Sequence, residues 1–281
     1  MPTHTSAAQP VALTVAGFDP SGGAGVVADI KTFTSFGCLA TAAVTSLTFQ
    51  NTTGVFGVAN QSAETVRRQV LPVVEDLRVA GMKTGMLPTR EIISEVARLV
   101  RETSLTDTAP VVDPVVRSTS GHDLIDDDAL DALKRELLPL ARLATPNLPE
   151  AERITGMKIA TEEDMRRAAA LVRGMGARAV LVKGGHLSGD ALDLLDDNGE
   201  VRLFRAPRIR TDSTHGTGCT LAAAVAACLA RGLSLVEAVD AAKRFVTAAI
   251  RRAPGLGRGF GPVRHDIAVS FTPEGVLIEE E

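Results

Sequence analysis

From Val11 to about Arg231 the chain alternates short apolar runs with stretches of helical periodicity, and this alternation constrains the fold more than any other feature. Val11 to Ala16 reads as a buried strand, followed by a glycine turn and a helix from about Val26 to Phe36. Ala42 to Phe49 reads as the next strand. Strands within "LRVAGMKTGML", "APVVDPVV", "ARLATPN" and "RAVLVKGG" then alternate with helices over 62–77, 89–102, 127–138 and 161–174. Strands separated by helices of about ten to fifteen residues cannot pair through tight turns. They predict an α/β fold with a central, mainly parallel sheet and helices on both faces. At 190–210 the pattern changes to two strand-like runs around Asp-Asn-Gly, a hairpin signal. Helices over 219–231 and 235–252 and the glycine-rich "PGLGRGFGP" follow. The expectation is a disordered lead-in over 1–10 and a single domain over 11–265. Residues 266–281 form an extension of unassigned role, either a hairpin or a strand with a frayed acidic end.

Composition narrows the partners. With no Trp and no Tyr, the core must be built from Ala, Val and Leu, and stacking platforms for single-stranded nucleic acid are lacking. A net charge of −4 offers no electrostatic footprint for DNA or an anionic membrane. Cys38, Cys219 and Cys228 are not spaced as zinc ligands or as a disulfide framework, and the five histidines form no ligand pattern. No apolar run approaches the ~18 residues of a membrane span, and "MPTHTSAAQP" lacks the charge and apolar stretch of a signal peptide. A cytoplasmic location is expected.

In open parallel sheets, ligands bind at the carboxyl ends of the strands. Here those loops are "GFDPSGGAG", "FQNTTG", "TGMLPT", "DPVVRSTSG", "TPNLPE", "VKGGHLSGD" and "TDSTHGTGC". The first contains GxGxxA, but the strand that follows ends in Thr48-Phe49-Gln50 without the acid a dinucleotide site requires. No GxxxxGK[ST] phosphate loop occurs. Gly216-Thr217-Gly218, opening an alanine-rich helix, is the better anion site, because backbone N–H groups at a helix start lack helical acceptors. Cys219 sits directly behind it, either as a working thiol or as a small core residue.

Taken together, "AGFDPSGGAGVVADIKTF", "QNTTGV", "GML", "TPNLPEAERITG", "VLVKGGH" and "THGTGCTLAAA" resemble the ribokinase superfamily. More closely, they resemble the bacterial hydroxymethylpyrimidine/phosphomethylpyrimidine kinase family of thiamine biosynthesis. The motifs run in the family's order from about residue 11 to residue 265. The resemblance implies a ribokinase-like fold with a small β-element near the substrate. It also implies transfer of the ATP γ-phosphate, with Mg²⁺, to 4-amino-5-hydroxymethyl-2-methylpyrimidine and then to its monophosphate. A pyridoxal kinase of the same cysteine-containing branch, or a non-catalytic pyrimidine-binding relative, remain the alternatives.

By this resemblance Cys219 is the general base and Gly216, Thr217 and Gly218 form the anion hole. The helix N-terminus favours the thiolate and a neighbouring phosphate opposes it. Asp29 and Gln50 hold the pyrimidine, with Ala24, Met86 and Val115 as apolar walls. Lys183, Asn147 and Thr214 serve the nucleotide. Glu150 and Asp113 hold Mg²⁺ through water, as suits a hard cation. Asn147 doubles as a helix cap. His215 receives no role. Thr48 and Val116-Arg117-Ser118 bear on pyrimidine against pyridoxal preference, and the resemblance together with the apolar 38–49 segment leads us to expect a homodimer, without assigning its interface.

Overall fold

The computed structural model describes residues 9–116, 124–185 and 190–279. Residues 1–8 of the expected lead-in, and Arg117 and Ser118, lie outside them. In chain order the elements are β1 (Val11–Phe18), α1 (Gly25–Ser35), β2 (Leu39–Asn51), β3 (Gly54–Asn60), α2 (Ala63–Asp76), β4 (Val79–Thr84) and α3 (Arg90–Glu102). There follow β5 (Val111–Val112), α4 (Asp127–Ala132), β6 (Leu143–Ala144), α5 (Leu148–Thr155), α6 (Glu162–Gly174), β7 (Ala179–Lys183), β8 (Ala191–Asp197) and β9 (Glu200–Ala206). The chain closes with α7 (Thr217–Ala230), α8 (Leu235–Arg251), β10 (Val269–Thr272) and β11 (Gly275–Ile278).

A nine-stranded sheet runs in the order β3-β2-β1-β4-β5-β6-β7-β8-β9. Its centre is parallel, as the helix-separated runs predict. Both edges are antiparallel, β3 on β2 and β8–β9 on β7. The Asp-Asn-Gly signal is met at the β8–β9 turn, where Asn198 and Gly199 both take positive φ. The chain leaves β1 for β2 on one side and returns as β4 on the other, so the strand order reverses there and a crevice opens at the carboxyl ends.

Alternation along β1 feeds two apolar layers. Leu13 and Val15 join Val66, Ile93 and Ala168 on one face, while Ala12 joins Phe33, Ala223 and Phe245 on the other. The alanine run of α7 lets that helix lie directly on the sheet: a Cβ at Gly81 in β4 would sit 2.5 Å from the Ala226 carbonyl oxygen. The close approach fixes the helix axis, and with it the position of the helix N-terminus over the crevice.

One region differs from the sequence reading, and a second is decided between its two alternatives. The "FQNTTG" loop is only a turn between β2 and β3, and β3 shows no buried face to a periodicity search because Phe56 and Val58 are exposed. Within 266–281 the hairpin alternative is the one formed, β10 pairing antiparallel with β11. Val276 and Ile278 are buried in the α7–α8 layer, and the Arg231 guanidinium lies 3.8 Å over the Phe271 ring.

Candidate active site

The crevice is a cavity of about 920 Å³ lined by the loops after β1, β4, β5, β6 and β7 and by the first turn of α7. Ala24, Gln50, Met86, Val115, Asp113, Asn147, Glu150, Lys183, Thr214 and the run Gly216 to Cys219 all face it. At Phe49/Gln50 the register with β3 skips Phe56, and Gln50, paired with Val55 near the end of β2, lines the cavity. Met86 is seated by the Thr45 hydroxyl, which donates to its carbonyl at 2.6 Å.

At the start of α7, Gly216 takes φ 79° and has no side-chain cap. A Cβ there would fall 1.8 Å from the Gly23 carbonyl oxygen, so glycine is required on both conformational and steric grounds. The next residues present first-turn N–H groups that the helix itself cannot pair. Over this turn stands an ammonium group: a Cβ at Gly218 would lie 3.0 Å from Lys183 Nζ. A positive helix end and a lysine thus converge on one point, which suits an anion on which charge is building.

Lys183 donates to Asp113 Oδ1 at 3.0 Å, and the Thr145 hydroxyl donates to the same oxygen at 3.2 Å. Burial alone would raise the Asp113 pKa, but the Lys183 and Lys83 ammonium groups outweigh it and hold it below the ordinary carboxylate value. Glu150 closes a capping box with Asn147: its carboxylate accepts the Asn147 N–H at 2.7 Å while its own N–H donates to Asn147 Oδ1 at 2.9 Å. Burial raises Glu150 to about 7 against the pull of Lys183, with the Asp113 charge adding to the rise. Among the described residues, no group of three or more His, Cys, Asp or Glu side chains is gathered to hold a metal ion.

The profile of the phosphomethylpyrimidine kinase family matches residues 19–264. The chain belongs to that family. It is 48% identical over 260 residues to the hydroxymethylpyrimidine/phosphomethylpyrimidine kinase of Streptomyces coelicolor, covering 92% of this chain and 96% of the relative. The crystal structure of Clostridium difficile phosphomethylpyrimidine kinase superposes with a TM-score of 0.76 at 38% identity, over 86% of this chain and all of that one (100%). The ADP complex of Bacillus subtilis pyridoxal kinase superposes with a TM-score of 0.83 at 37% identity, over 92% and 97% of the two chains.

One of the expectations drawn from the phosphomethylpyrimidine kinase pattern needs correction. Asp29 does not face the cavity. It is fully buried on the inner face of α1, where its Oδ2 accepts from the Thr14 hydroxyl at 2.6 Å and both its oxygens accept from Lys83 Nζ at 2.9 and 3.0 Å. Every oxygen it could offer a pyrimidine is already paired. For Cys219, whose opposing influences left the direction open, burial is the largest influence. Burial pushes its thiol up to about 12, and the opposing Lys83 charge does not compensate, because Asp113 and Asp29 add to the rise. At neutral pH the sulfur carries its proton.

The structure also adds residues that the sequence reading passed over. Lys83, inside β4 and fully buried, stands behind Cys219. Burial opposes its charge, but the Asp29 carboxylate outweighs this and raises its pKa. Asp19 and His215 meet at the cavity wall. Lys243 of α8 donates to Asp193 at 2.7 Å and to the Ala191 carbonyl at 2.9 Å beside the cavity. A lysine within a buried parallel strand, which ought to read as uniformly apolar, was the available signal for Lys83.

Proposed function

We propose that this chain transfers the γ-phosphoryl group of ATP to the hydroxymethyl oxygen of 4-amino-5-hydroxymethyl-2-methylpyrimidine, and then phosphorylates the resulting monophosphate. The observation that carries this reading is the convergence of Lys183 on the first turn of α7, in the same cavity as Gln50, Ala24 and Met86. The Gln50 amide can accept from the exocyclic amine and donate to a ring nitrogen, while the apolar walls take the faces of the ring. In the step itself, the hydroxymethyl oxygen bonds to the γ-phosphorus, the bond to the ADP oxygen breaks, and the hydroxyl proton passes to an oxygen of the transferred phosphoryl group and from there to water. Phosphoryl transfer is largely dissociative, so Lys183 and the N–H groups of Gly218 and Cys219 act on the equatorial oxygens more than a base acts on the nucleophile. Cys219, as a neutral thiol, orients the hydroxyl.

Asp113, Glu150 and Asn147 offer oxygen ligands beside the phosphate position without forming a closed cage. This suits Mg²⁺, which keeps several waters and takes one or two carboxylates together with substrate phosphates. Bound there, Mg²⁺ would neutralise charge on the phosphate oxygens. Placement in a reducing cytosol is in keeping with three unpaired cysteines, and no helix among the described residues is long and apolar enough to cross a membrane.

Assays of purified protein with ATP and, in parallel, hydroxymethylpyrimidine, its monophosphate and pyridoxal test the reading. It requires kcat/KM for the pyrimidines to exceed that for pyridoxal. The reverse order would make the chain a pyridoxal kinase, and binding without ATP consumption would make it a sensor. A homodimer is also proposed, through the β2–β3 edge, where Leu47, Phe49, Phe56 and Val58 are exposed. A monomer in sedimentation at micromolar concentration would remove it.

A further inference from the structure

The carboxylate of Asp19 is almost wholly buried and is the hub of the loop after β1. Its Oδ1 accepts from the Ser21 N–H at 2.8 Å and the Ser21 hydroxyl at 2.7 Å. Its Oδ2 accepts from the N–H groups of Gly23 at 3.2 Å and Ala24 at 2.9 Å. The same Oδ2 lies 2.8 Å from Nε2 of His215, the residue immediately before the glycine that opens α7. Burial would raise Asp19, but the His215 and Ser21 hydrogen bonds lower it to about 2, so it is ionised throughout the working range. His215 is anchored from behind, its N–H donating to the Gly261 carbonyl at 3.0 Å.

The two loops touch without slack. A Cβ at Gly23 would lie 2.5 Å from the His215 ring, and one at Gly216 would lie 1.8 Å from the Gly23 carbonyl oxygen. The loop after β1 carries the Ala24 wall, and its Gly25 N–H is directed at the Cys219 sulfur. The other segment carries the anion hole. Sliding one past the other would change the distance between the acceptor's hydroxymethyl group and the phosphoryl-binding N–H groups.

We propose that Asp19 and His215 are a positioning pair for phosphoryl transfer: the contact locks the substrate-side loop to the first turn of α7 and thereby sets the attack distance. The inference rests on the kinase reading for its catalytic consequence, but not for the lock itself. A displacement of the order of 1 Å at a reacting centre costs roughly 10²-fold in rate.

The test compares His215→Ala with His215→Gln, whose amide keeps an N–H donor for Asp19. With whichever acceptor the wild type turns over, His215→Ala should lower kcat by roughly 10- to 10²-fold while moving either KM less than about threefold, and His215→Gln should recover most of the loss. Alkylation of Cys219 by iodoacetamide reads the lock without any turnover, and should be faster in His215→Ala and near wild type in His215→Gln. Unchanged kcat and unchanged alkylation in His215→Ala would overturn the proposal. Equal losses in the two variants that merely follow a fall in Tm would do so as well. If the wild type phosphorylates none of the acceptors, the kinase reading fails and the alkylation arm alone decides the lock.

Discussion

Two lysine–aspartate pairs, their lysines on β4 and β7 of one sheet, reach towards the first turn of α7 at nearly equal separations. Lys83 and Asp29 are 2.9 Å apart and both wholly sealed, whereas Lys183 and Asp113 are 3.0 Å apart with Lys183 13% exposed to the cavity. The chemistry is identical, yet the roles part company on solvent access alone. The sealed lysine can never exchange its carboxylate for a ligand, so it contributes rigidity and a fixed field felt by Cys219 and Asp113. The open lysine shares one contact with Asp113 and can turn its remaining donors to a phosphate.

The largest expected effect is on the sealed pair. Lys83→Met leaves a buried carboxylate without its cation and should cost about 3–5 kcal/mol of folding stability in urea. Adding Asp29→Leu, which removes the orphaned charge as well, should recover most of that loss. If the double variant were no more stable than the single one, the sealed pair would be contributing more than mutual neutralisation. The open pair should answer in the opposite currency. Lys183→Ala should lower kcat by roughly 10²- to 10³-fold, because a donor to the developing charge is lost, while Tm moves little since Asp113 can hydrate from the cavity. A large fall in Tm with normal turnover would erase the distinction between the two pairs.

Cys219 stands between the pairs and reports on both. Cys219→Ala should fold normally, because it removes little volume at a helix start. Turnover should fall by about 10²-fold, the low end for losing a positioned acid–base group, since the thiol holds its proton at neutral pH. Cys219→Asp is expected to keep part of the activity. Because Cys219 lines the cavity while Cys38 and Cys228 are buried, a thiol reagent should modify it faster than either of them, and bound pyrimidine should slow that modification. Full turnover in Cys219→Ala would reduce the thiol to packing.

The contrast between the pairs also marks how far the sequence could be read. Glycine, Asn and Asp cluster in the loops at the strand ends and point to the cavity, because those residues have few reasons to gather on a scaffold built mainly of Ala, Val, Leu, Ile and Phe. Asp29 went astray because a motif match names a residue without saying which way it faces. Its own helix held the answer: Asp29, Thr32 and Phe33 follow the helical spacing and are all buried, so they share the inner face. The partner that satisfies Asp29 lies far along the chain in β4, and such a pairing is visible only after folding. β3 escaped for the opposite reason, being exposed along one edge and carrying glycine in its middle, so no period distinguished it.

The smallest predicted effect belongs to Glu150, a carboxyl that feels both members of the open pair. Burial holds it at about 7 instead of its ordinary 4.5, so between those values the unfolded chain has lost a proton that the native state keeps. Stability in metal-free buffer should therefore fall as pH rises from about 4.5 to about 7, and Glu150→Gln should remove that slope from a urea titration series. A divalent cation selects the ionised carboxylate, so binding must release the proton and affinity must rise with pH. At pH 6 about a tenth of the carboxyl is ionised and at pH 8 about nine tenths, so the Mg²⁺ affinity measured calorimetrically with bound nucleotide should rise by roughly tenfold at most and level off above 8. Asp113 is ionised across this whole range, held low by Lys183 and Lys83, and gives no such slope. Glu150→Gln should thus bind Mg²⁺ more weakly at pH 8 and with almost no pH dependence, while pyrimidine affinity stays near that of the wild type. A slope that survives in Glu150→Gln would assign the titration to another group and take Glu150 out of the metal's surroundings.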